Sequence, residues 1–151
     1  MVNFNWLNLH FLHIRYEGVV SGEELMQSTL EISGDARLDN THFVLGDWSS
    51  LTRSALDQDD IKTLVAILKS VTKITPHTKN ATVVRPDDTG NAMAAFYKML
   101  TEDLSWQVEI FHSYEDAYQW FEQSDLKLQK SYYDLPRLDR KNLPLDLEKN
   151  T

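Results

Sequence analysis

Four helix-opening signals punctuate this chain, and three of them stand directly behind a short apolar run of strand character. Ser21-Gly22-Glu23-Glu24 has the form of a capping box ahead of Leu25, with Ser21 accepting an orphan amide and Glu24 reaching back to the cap. Asp57-Gln58-Asp59-Asp60 opens a segment carrying Ile61, Leu64, Val65 and Leu68. Asp87-Asp88-Thr89 opens one with Met93, Phe96, Tyr97 and Leu100, and Ser113-Tyr114-Glu115-Asp116 one with Ala117, Trp120 and Phe121. The order reads ββαβαβαβα. Strands alternating with helices of this length predict an α/β fold: a mixed, mostly parallel sheet with helices packed on it. Such a pattern specifies a fold far more sharply than a reaction.

The opening strands are expected over Val2 to about Leu7 and about His10 to Tyr16, turning near Asn8. In the second, Leu12, Ile14 and Tyr16 alternate with His13 and Arg15, the period of a sheet with two different faces. Helices are expected over about 22–33, 58–73, 90–103 and 114–123, and later strands over 42–46, 81–84 and 106–112. The second helix has the clearest apolar stripe. Its Leu64, Val65 and Leu68, with Phe96, Tyr97 and Leu100 of the third, are expected to pack on the sheet. Asp47 to Ser54 reads as a polar loop. A domain over 1–124 is expected to be followed by an extended tail, 125–151, whose leucines at 128, 135, 138, 143, 145 and 147 lie among charges and two prolines. If ordered, those leucines must be buried against the domain or a second copy, so a homodimer is the favoured form.

Composition removes several classes of function. The chain has 151 residues, 42% hydrophobic and 25% charged, the profile of a globular domain. It has no cysteine, so disulfides, thiolate metal sites and a cysteine nucleophile are excluded. Its net charge of −8 is shared evenly, with six basic and ten acidic residues up to position 75 and nine and thirteen beyond it. No basic stripe survives that distribution, so neither nucleic acid nor an anionic membrane surface is an expected partner. No apolar run approaches the roughly 20 residues of a membrane span, and the first residues lack the pattern of a signal peptide. A bacterial cytoplasmic protein is expected.

Strand–Gly18-Val19-Val20-Ser21-Gly22-Glu23-Glu24–helix, then Phe43-Val44-Leu45-Gly46-Asp47 with serines after it, resembles the bacterial SpoIIAA-like family, distantly related to STAS domains. So does the ending, Val108-Glu109-Ile110-Phe111 followed by Glu115-Asp116-Ala117-Tyr118-Gln119-Trp120-Phe121. The resemblance covers roughly residues 4–123. It implies a STAS-like, non-enzymatic regulatory or binding module. Antagonists of the STAS type carry a phosphorylatable serine in an Asp-Ser-Ser-Gly-like turn, and here that turn reads Asp57-Gln58-Asp59-Asp60. The serines lie earlier, at 49, 50 and 54, so phosphoregulation of the antagonist type is not expected.

Candidate chemistry is sparse. His10 and His13 look like a ligand pair, but three-residue spacing on a strand sends them to opposite faces. His42, His77 and His112 are isolated in sequence, so no metal site is expected. There is no Gly-x-Gly-x-x-Gly, no Gly-Lys-Ser/Thr and no Gly-x-Ser-x-Gly, hence no expected nucleotide, cofactor or serine-hydrolase site. Asp57, Asp59, Asp60, Asp87 and Asp88 read as helix caps. Asp47 with Ser49, Ser50 and Ser54 stands at the carboxyl end of a central strand, where open α/β sheets bind ligands. These four are the candidate ligand-binding residues; the competing reading is that they satisfy loop backbone groups. Two functions follow: a module binding a protein partner or small apolar ligand, or a small enzyme using Asp47 and a loop hydroxyl.

Overall fold

The computed structural model describes residues 1–123, so the tail and its leucines lie outside the described residues. β1 (Val2–Asn8) and β2 (Phe11–Val20) form an antiparallel hairpin, with Phe4 opposite Ile14. Then follow α1 (Gly22–Ser33), a 3-10 turn (Ala36–Asn40), β3 (Phe43–Ser54), α2 (Gln58–Ile74), β4 (Lys79–Val83), α3 (Asp88–Leu100), β5 (Gln107–Phe111) and α4 (Tyr114–Glu122). The strands lie side by side in chain order, with β2 to β5 parallel. The expected α/β order and mixed, mostly parallel sheet are present.

Chain order explains the layers. Three successive same-handed crossovers, each moving one strand along in the same direction, fall on one face of the sheet. α1, α2 and α3 accordingly cover one side, over a core that includes Leu12, Ile14, Val44, Leu64, Leu68, Val71 and Trp106. α4 follows the last strand and takes the other side, packing Tyr114, Ala117 and Phe121 on Phe11, Phe43, Leu45, Ala81 and Val83. Phe121 is fully buried there, its ring centroid 5.7 Å from Phe11 and 5.1 Å from Phe43. The late aromatics therefore divide: Trp106 joins the first core and donates its indole N–H to the Thr75 carbonyl at 2.8 Å, while Phe111, Tyr118 and Trp120 ring Phe121. Leu64, Val65 and Leu68 are buried as expected; Phe96, Tyr97 and Leu100 are half-buried.

The caps hold their predicted places, with one exchange of roles. Asp57 and Asp60 form a complete capping box on α2, each accepting the other's backbone amide at 2.9 Å. At α1 only half the box forms. Ser21 accepts the Glu24 amide, but the Glu24 carboxylate accepts from Val2 N–H at 2.9 Å and so ties α1 to the edge strand. Gly22 sits directly against Asp60, and a Cβ there would collide with its carboxylate. Gly22→Ala should therefore pull Asp60 from its cap and cost about 1 kcal/mol, read as a lowered urea midpoint. An unchanged midpoint would mean that the two helix starts are uncoupled.

β3 departs furthest from expectation. The segment read as a loop from Asp47 to Ser54 continues the strand. β4 accompanies β3 only as far as Asp47, but β2 runs on, pairing Glu17 with Ser50, Gly18 with Leu51 and Val20 with Ser54. Two register shifts interrupt this ladder, and Gly18 takes φ +66°, a conformation that glycine adopts without strain. With one long edge unpaired, this ribbon tolerates hydroxyl residues that a central strand would not.

Candidate functional site

Strand alternation separates the candidate residues. Asp47 and Ser49 face α4, whereas Trp48 between them faces the three-helix layer. Asp47 is 1% exposed and both carboxylate oxygens are engaged. One accepts the Ser49 amide at 2.8 Å and the Ser49 hydroxyl at 2.5 Å; the other accepts the Tyr114 hydroxyl at 2.5 Å. Because Tyr114 spends its proton on Asp47, its oxygen accepts from His13 Nε2–H at 3.0 Å, which fixes the His13 tautomer. The result is a buried polar chain, His13–Tyr114–Asp47–Ser49, joining β2, β3 and α4. It has no open position for a substrate atom. Ser50 lies half-buried further along the ribbon, and Ser54 ends it. Of the residues named from sequence, Asp47 and Ser49 come together, and they brace α4 on the sheet.

Burial lowers the His13 pKa from 6.5 to about 4, against the opposing pull of Asp47 and with help from Arg15. The folded state keeps His13 neutral where the unfolded chain protonates it. Its contribution to stability is complete above the unfolded value of 6.5 and is lost as pH falls from there toward about 4. The urea midpoint should drop between about pH 7 and about pH 5, and by less in His13→Gln. An equal drop in both proteins would assign the acid sensitivity elsewhere. Three of the other histidines gather at the amino edge of the strands: His10 and His42 lie 5.2 Å apart, and burial, then His10 and His77, lower the His42 pKa, whereas His112 follows β5 at the opposite edge, against the Val84 carbonyl. Among the described residues no group of three acidic or imidazole ligands is arranged to hold a metal ion.

The cleft lies on the opposite face. At the carboxyl ends of β3 and β4, between the first turns of α2 and α3, is a cavity of about 330 Å³. Trp48, Leu51, Leu56, Ile61, Val84, Met93, Ala94 and Tyr97 give it an apolar wall; Thr52, Thr82, Arg85 and Asp87 are its polar members. The ionic groups are already committed. Arg85 donates to the Leu51 carbonyl at 2.5 Å and pairs with Asp87 at 3.4 Å, and Asp87 caps α3 at the Gly90 amide, 2.7 Å away. Tyr97 donates its hydroxyl to buried Asn80 at 2.7 Å, and burial raises its pKa. The Thr82 side chain is 3% exposed, and its hydroxyl has no hydrogen-bond partner among the described residues. The site is therefore an apolar box with one spare buried hydroxyl, that of Thr82; the hydroxyl of Thr52 is unpaired among the described residues too, but that residue is exposed. The sequence marks this edge of the sheet but not this face, and no motif joins residues drawn from β3, α2, β4, α3 and the loops between them.

Comparison with solved structures identifies the fold. The unphosphorylated form of the anti-sigma factor antagonist SpoIIAA superposes with a TM-score of 0.57 at 10% identity, over 83% of this chain and all of that one. The phosphorylated form of the Bacillus cell-fate determinant SpoIIAA gives 0.52 at 10% identity, over 80% and 99%. No family model and no curated protein matches the chain. The resemblance read from sequence thus holds as a fold, the SpoIIAA-like, STAS-like arrangement. No helix among the described residues is long and apolar enough to cross a membrane.

Proposed function

We propose that this chain is a non-enzymatic STAS-like binding module whose cleft between α2 and α3 takes a small, largely apolar, uncharged molecule. The observation that carries the reading is the 330 Å³ cavity itself, within the size range of small-molecule sites and walled by apolar side chains around the buried, unsatisfied Thr82 hydroxyl. An anion is disfavoured because Arg85 is neutralised by Asp87 at the rim and the chain carries a net charge of −8. The enzymatic alternative using Asp47 and a neighbouring hydroxyl loses support from burial: Asp47 and Ser49 satisfy each other away from solvent. Nile red, a neutral apolar dye, should brighten on binding the folded protein, and Met93→Arg, at the half-buried cleft wall, should abolish the effect. Equal brightening in Met93→Arg would move the site elsewhere. No brightening at all would remove the reading.

The same reading makes the chain no phosphoserine switch. The start of α2 carries Asp57, Asp59 and Asp60 in place of a serine, and a phosphate adding about −1.5 to −2 charges beside them would be repelled. Incubation with a bacterial extract and ATP, followed by phosphopeptide mapping, should yield no stoichiometric phosphate at Ser49, Ser50 or Ser54. Full occupancy at any of the three would overturn this.

A further inference from the structure

Behind the cleft lies a second, smaller space of about 50 Å³, bordered by Leu12, Ile14, Val44, Leu64 and Leu68 of the core. The two cavities share three wall residues: Trp48, Thr82 and Tyr97. These partition residues are held very differently. Thr82 is a short side chain on β4. Tyr97 is pinned by its hydrogen bond to Asn80, which itself donates to the Val44 carbonyl at 3.2 Å. The Trp48 indole N–H has no hydrogen-bond partner among the described residues, and its ring is held by stacking on buried Tyr16, 3.7 Å away and tilted by only 12°. Beneath it is Gly46, which offers no side chain to wedge it; the nearest approach to a Cβ built there is 3.5 Å, from the indole nitrogen.

We propose that Trp48 is the specificity-determining residue of the cleft: its indole is the floor that limits how far an apolar chain can enter, and removing it joins the two cavities into one deeper site. This rests on the cleft being the ligand site. It goes further by assigning ligand length to one side chain, and by fixing the ligand class as a short, neutral molecule with one hydrogen-bonding group for Thr82.

The test is displacement of Nile red from the full chain by a series of straight-chain primary alcohols, hexanol to dodecanol. For the wild type, affinity should rise about fourfold per methylene, the gain for burying each one, and then stop rising where the chain meets the indole. Trp48→Phe keeps an aromatic floor and should keep that break. Trp48→Ala should move the break to a longer alcohol. Trp48→Leu, which preserves more of the packing, serves the same comparison if circular dichroism finds the Ala protein unfolded. A break at the same chain length in the wild type and in the Ala or Leu protein would overturn the proposal while leaving the cleft in place. Failure of the wild type to bind dye or any alcohol would overturn the cleft reading itself.

Discussion

Replacing Asp47 with Ala should lower the free energy of unfolding by about 3–5 kcal/mol while leaving dye binding by the protein that remains folded intact. The substitution removes both acceptor oxygens and strands three donors: the Ser49 amide, the Ser49 hydroxyl and the Tyr114 hydroxyl. A buried donor left without an acceptor costs about 1–3 kcal/mol, partly relieved if a water fills the space. Tyr114 would also lose what orients its oxygen toward His13, loosening α4 on the sheet. Asp47→Asn should recover only part of the loss, since its amide group brings a donor into a site already lined with donors. A change under about 1 kcal/mol in Asp47→Ala would mean that the polar chain is not structural. Loss of dye binding with stability preserved would return Asp47 to the status of a ligand residue.

The second large effect is expected at Leu64. It is 7% exposed on α2, packs in the core formed with Leu12, Val44 and Leu68, and borders the smaller cavity. Leu64→Ala should cost about 2–5 kcal/mol, at the upper end if neighbours already facing a void cannot close over a larger one. Leu30 on α1 supplies the control. It is the same residue type on a helix of the same layer, but 54% exposed, and Leu30→Ala should change stability by less than about 0.5 kcal/mol. Similar losses at both positions would contradict the assignment of the buried face of α2.

What the sequence conveyed and what it hid have physical causes. Helix starts were legible because capping is local chemistry: Asp57 and Ser113 cap the helices they precede, and the stripe of α2 emerges from its own periodicity. The reach of β3 was not legible because its last residues are strand only by virtue of the far end of β2, and their hydroxyl-rich sequence carries little β preference of its own. Glu24 illustrates the same limit, since its capping partner was displaced by an amide 22 positions away. At the site, Asp47 stood out as a carboxylate ending an apolar strand, but its partners Tyr114 and His13 lie 67 and 101 positions from Asp47 and Tyr114, respectively. The cleft was hidden because its walls are ordinary apolar residues. Their meaning comes from a space left between helices, which no spacing along the chain records.

Titration of the isotope-labelled protein with hexanol, followed through its amide NMR spectrum, decides which face of the sheet binds the ligand. Shifts are expected to concentrate at Trp48, Leu51, Ile61, Val84, Met93 and Tyr97, with the amides of His13, Ser49 and Tyr114 on the opposite face unmoved. Shifts centred on His13, Ser49 and Tyr114, with the cleft silent, would contradict the cleft reading.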